Sequence, residues 1–162
     1  MNMIDHTATW VNGEVLQGKI MLGIGIPLLI GAVAIFRSDN EILKGALIPL
    51  GFATVVLIGY GGFLTFGRPN QLTQLKAEHS ENAVQAVDKQ VKYLEGGDKT
   101  YSLLKKLYPI FIIISVSLTW FLTSHYYKGM AIGFAVLFVS ALVIDTLLHH
   151  RLKIYLDGLY SL

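Results

Sequence analysis

No cysteine occurs anywhere in the 162-residue chain. A disulfide framework, a thiolate zinc site, a cysteine-ligated iron–sulfur cluster and a thiol nucleophile are therefore excluded. Small four-helix membrane enzymes that pass electrons through cysteine pairs go with them. Charge is scarce as well. Asp, Glu, Lys and Arg make up 15% of the residues, against about 25% in an average soluble domain. A net charge of +2 gives no bulk attraction to anionic partners, and neither a disordered tail nor a nucleic-acid-binding module fits this composition. What fills the chain instead is apolar: 53% of it is hydrophobic. Those residues collect into four blocks, with the charges gathered between them.

The blocks cover about 20–36, 42–66, 107–127 and 130–148. A helix needs ~20 mostly apolar residues to cross a ~30 Å hydrocarbon core, and the four blocks match that length or come near it. The pattern predicts an all-α, polytopic membrane protein forming a single integral membrane domain over residues 1–162. It has four transmembrane helices, an amphipathic N-terminal lead-in, a cytoplasmic helix over about 70–95 between spans 2 and 3, and a C-terminal helical extension. In the lead-in, Trp10, Glu14 and Gly18 recur every four residues and so share one face; Trp10 suits headgroup depth. A cleaved signal peptide is the competing reading of the first block, with Ala32-Val33-Ala34 as its small-residue site. The acidic Asp5 and Glu14, and the lack of any Lys or Arg before Lys19, argue against it.

Ten of the thirteen Lys and Arg residues fall on the side shared by the N-terminus, the central segment and the C-terminus, while Arg37, Lys44 and Lys128 fall on the other. The positive-inside rule then places both termini in the cytoplasm, in a bacterial inner (plasma) membrane. Ser38 and Glu41 have capping-box spacing before the second span. Gly67-Arg68-Pro69-Asn70 reads as the end of that span and the start of the central helix. Gly96-Gly97 reads as that helix's C-terminus and Asp98 as the next cap. Val84, Val87, Val91 and Leu94 form a stripe suited to lying on the bundle or pairing with a copy. Leu152, Tyr155, Leu156 and Leu159 continue the amphipathic theme beyond the fourth span. No motif recurs between the two halves, so an inverted-repeat transporter is not indicated.

Small residues mark several helix faces: Gly23, Pro27, Gly31 and Ala34 in the first span; Gly51, Gly59 and Gly62 in the second; Gly129, Ala131, Gly133 and Ala135 in the fourth. Close approach of such faces drives helix association in lipid. Packing within the bundle is the expected use, with self-association beside it.

The sharpest chemical feature is Asp145, inside the fourth span and four residues before His149, hence on the same helix face. An ionisable group within a span is a functional candidate; the structural alternative is an interfacial pair with Lys106 or Lys19. Glu14, Asp145 and His149 are the candidate catalytic groups. Glu14, Glu78, His79, Asp145 and His149 are the candidate ligands should zinc or iron bind through nitrogen and oxygen. His6 and Glu81 fall on the same side. No metal, nucleotide or nucleophile signature is present, so no cofactor is predicted from a motif. Two functions follow as expectations. One is a self-associating bundle acting as a channel, transport subunit or membrane scaffold, with membrane lipids and copies of itself as partners and no nucleic acid. The other is a membrane-embedded, metal-dependent enzyme acting on a lipid or amphiphile at the cytoplasmic leaflet.

Overall fold

The computed structural model describes residues 3–160, which form four long helices: α1 (Met3–Phe36), α2 (Glu41–Glu81), α3 (Ala83–Phe121) and α4 (His125–Tyr160). All four are long and apolar enough to cross a membrane. At ~1.5 Å per residue each exceeds about 50 Å, well beyond a ~30 Å hydrocarbon core. The surplus lies at one end. The polar beginnings of α1 and α3 meet the polar ends of α2 and α4 there, because short links make the helices run up, down, up and down. The main contacts join α1 to α2, α2 to α4 and α4 to α3, so α1 and α3 occupy the rims.

The helix boundaries correct several expectations. The second helix is capped by Asn40, whose Oδ1 accepts from the amides of Ile42 and Leu43 at 3.0 and 3.2 Å. Ser38 instead accepts from the Asn40 amide. The chain does not break at Gly67-Arg68-Pro69. A π-helical turn over Phe63–Gly67 carries α2 straight into its polar arm, Arg68–Glu81. Such a wide turn accommodates Pro69, which lacks an amide hydrogen, and side chains on either side of it bond back one turn: Thr65 donates to Gly61 O and Asn70 to Phe66 O.

The predicted helix over 70–95 is accordingly two arms, divided at Asn82. That residue adopts an extended backbone and caps α3 by accepting from the Gln85 amide at 3.1 Å. Gly96-Gly97 does not end a helix. A C-terminal glycine cap needs positive φ, and among the described residues no glycine has it. Gly97 serves packing instead, since a Cβ there would press on Leu152 Cδ1 at 3.0 Å.

The main core lies in this polar head. Met3, Leu75, Ala86, Leu94, Leu152, Tyr155, Leu156 and Leu159 bury one another, with Trp10, Val87, Val91 and Tyr101 around them. The stripe read from the sequence packs inward here except for Val84, which is exposed. The apolar halves are different. In the most apolar 18-residue stretch of each helix, at most 22% of the residues are buried.

Glycine separates the two situations. A Cβ on Gly45 would collide with the Tyr126 carbonyl and one on Gly129 with the Ile42 carbonyl, so α2 and α4 touch backbone to backbone. Gly18 and Gly61 do the same for α1 and α2. Gly23, Gly31, Gly51, Gly59 and Gly62 face open space, which overturns intramolecular packing as their role.

Candidate functional site

Polar side chains gather where the apolar stretches give way to the head. Glu14 on α1 and Arg68 on α2 form an ion pair with both side chains almost fully buried. The spacing of Trp10, Glu14 and Gly18 aims this face of α1 at α2, and the π turn brings Arg68 round to meet it. Arg68 also donates to Gln71 Oε1 at 2.7 Å and to the Tyr93 hydroxyl at 3.2 Å. Its guanidinium lies over Trp10, Phe63 and Tyr93, 4.8, 5.4 and 5.9 Å from their ring centres. Aromatic faces suit a cation withdrawn from water.

Both charges lie outside the apolar stretches. Burial raises the Glu14 carboxyl above its ordinary value, and Arg68 opposes the rise. For Arg68 burial pulls downward, but Glu14 and Tyr93 outweigh it and hold the guanidinium up.

From this pair polar contacts continue across the bundle. On α3 the Tyr101 hydroxyl is pushed far up by burial first, then by Tyr60 of α2 and Glu14 of α1. Tyr101 stacks on His149 of α4 with ring centres 5.8 Å apart. The buried His149 Nε2 lies 2.6 Å from Asp98 Oδ1 on α3. One turn further into the apolar region, the Tyr108 hydroxyl donates to Asp145 Oδ2 at 2.6 Å. Asp145 and His149 thus share a face turned towards α3, yet each is held by its own partner.

The candidates read from the sequence therefore separate. Asp145 pairs with Tyr108 rather than with Lys106 or Lys19. Glu14 is closed off by Arg68. Glu78 bonds Lys89 at 2.6 Å on the surface of the head, where His79 is half-buried and Glu81 exposed. Among the described residues no group of three or more His, Asp or Glu side chains is placed to hold a metal ion, so the five proposed ligands do not form one site. The residues that complete the network, Arg68, Tyr93, Asp98, Tyr101 and Tyr108, carry no motif. Their one sequence signal is position: each lies within a few turns of an apolar boundary, where a buried polar partner for Glu14 or Asp145 has to come from.

Fold and site together define a four-helix bundle of membrane-spanning type, closed at one end by a packed head with an internal polar network. Comparison with protein-family models, with curated proteins and with solved structures gave no match for the chain.

Proposed function

We propose that this chain is a non-enzymatic integral membrane bundle that works by self-association, as a scaffold or transport subunit. Both termini and the head lie on the cytoplasmic side of a bacterial inner membrane. The observation that carries the reading is the contrast between head and spans. The head has a core of its own, whereas Gly23 and Gly31 on α1 and Gly51, Gly59 and Gly62 on α2 meet nothing. Lipid tails are as apolar as the helices, so close packing of small residues is what draws spans together in a bilayer. A second copy supplies a matching small-residue face. The excess of Lys and Arg on the head side supports the orientation.

The groups that catalysis would need are engaged by partners: Glu14 by Arg68, Asp145 by Tyr108 and His149 by Asp98. The same engagement of Asp145 takes support from a channel in which that carboxylate lines a passage. Native mass spectrometry of the full chain in gentle detergent tests the association, with dimers or higher species expected. A strict monomer across the accessible concentration range would overturn it. Stoichiometric metal in tag-free protein, measured by elemental analysis, would overturn the non-enzymatic half.

A further inference from the structure

We infer that the groove between α1 and α4 at the base of the head binds the headgroup of an acidic glycerophospholipid. The groove, about 340 Å³, is lined by His6, Thr9 and Trp10 on α1 and by Arg151, Ile154 and Tyr155 on α4. That volume falls in the range of small-molecule sites. Its floor is rigid: Trp10 stacks on Tyr155 with ring centres 4.9 Å apart, and the Tyr155 hydroxyl is bonded to Thr7 at 2.6 Å. Its cation is fixed. Arg151 Nη1 donates to Gly13 O at 3.0 Å and reaches Gln17 Oε1 at 3.5 Å. Among the described residues the rest of the guanidinium fork carries no bond to protein, which leaves donors for a phosphate, the geometry that arginine suits best.

Position selects a lipid over a soluble anion. Arg151 follows the apolar end of α4 by three residues, and Gln17 precedes the first apolar block of α1 by the same number. At ~1.5 Å per residue that is ~4.5 Å, the depth of headgroups. Helical spacing continues the groove's face of α1 from Gly13 and Gln17 to Ile20 and Ile24, and that of α4 from Arg151 back to Leu147 and Val143. All four of those apolar residues are at least half exposed, so an acyl chain has a track beside the phosphate. Exposed Lys19 and Lys153 add positive charge at this level, while Asp5 and Asp157 lie deeper in the head, which sets the phosphate at the membrane end. The site does not depend on how many copies associate.

The test is native mass spectrometry of the full chain with added phosphatidylglycerol, and separately with phosphatidylcholine, for wild type, Arg151→Gln and Ile154→Asp. Retention of phosphatidylglycerol about tenfold stronger than of phosphatidylcholine is expected, because both offer the phosphate but the choline cation is repelled by Arg151, Lys19 and Lys153, and each variant should remove that preference. Ile154 is exposed and lines the groove three residues from Arg151, so Ile154→Asp sets a carboxylate beside the guanidinium that both occupies it and repels the phosphate. Equal retention of the two lipids, or a preference that survives both variants, would overturn the inference. Displacement of phosphatidylglycerol by millimolar glycerol phosphate would overturn it too, by giving the site to a soluble phosphate ester.

Discussion

Arg68 Nε on α2 faces Glu14 Oε2 on α1, and the two side chains are only 7% and 6% exposed. A buried pair of this kind ties the two helices together at the point where apolar span becomes polar head. Its net contribution is small while intact, because desolvation offsets the attraction, but removing one member strands the other.

The two single variants should differ. Glu14→Leu leaves a guanidinium that cannot lose its proton, and a cost of about 3–5 kcal/mol is expected. Arg68→Met leaves a carboxyl already raised by burial, which can take up a proton. A group whose folded pKa lies above its unfolded value adds stability that is complete below the unfolded value and lost as pH rises through the folded one. Arg68→Met should therefore recover stability as pH falls, while Glu14→Leu should not. The double variant should be more stable than either single one at neutral pH. Thermal unfolding in detergent across pH checks this; parallel pH profiles for the two singles would refute the asymmetry.

Asp145 and Tyr108 make a second link, between α4 and α3 inside the apolar region. A hydrogen bond to a charged group contributes about 1.5–3 kcal/mol. Tyr108→Phe and Asp145→Asn should each destabilise the chain, and the double variant should cost clearly less than the sum, since both act on the same bond: Phe removes the donor, and Asn leaves only a neutral acceptor. Additive losses in a double-mutant cycle would mean that the two side chains act independently.

Much of the architecture was legible because long apolar runs need no tertiary information: a block such as 107–127 can bury its backbone in lipid only as a helix. The break points were less legible. Gly67-Arg68-Pro69 and Gly96-Gly97 carry strong local stop signals, but the π turn absorbs Pro69 and Leu152 packs on Gly97 within an unbroken helix. Spacing placed Asp145 and His149 on one face, and that face does turn to α3. It held no information on how α3 is rotated against α4, so Tyr108 and Asp98 could not be found as their partners. Arg68 was hidden for a related reason: read as the break between the second span and the central helix, it had no direction relative to Glu14.

Asn82 bears the division between the two polar arms. Its side chain caps α3, and its extended backbone lets the chain reverse between α2 and α3. Asn82→Ala should cost about 1 kcal/mol, felt locally as faster amide exchange at Gln85 and its neighbours. Exchange that stays unchanged there would mean that the reversal is held by packing of Leu75 and Ala86 in the head core rather than by the cap.

The glycines offer a separation of folding from association. Gly129 sits against the Ile42 carbonyl, so Gly129→Leu must force α2 and α4 apart. Overpacking in a tight core costs about 1–3 kcal/mol or more, and a backbone contact leaves no side chain to yield, so poor expression or a large fall in thermal stability is expected. Gly59 has the same local chemistry but open space around it. Gly59→Leu should leave the monomer's thermal stability essentially unchanged, because nothing within the chain is displaced. If a second copy packs against that face, the bulkier side chain should still lower the dimer fraction in native mass spectrometry or crosslinking. A stable Gly59→Leu variant that associates as well as wild type would remove the α2 glycine face from the interface. It would leave the Gly23 and Gly31 face of α1 as the surface to substitute next.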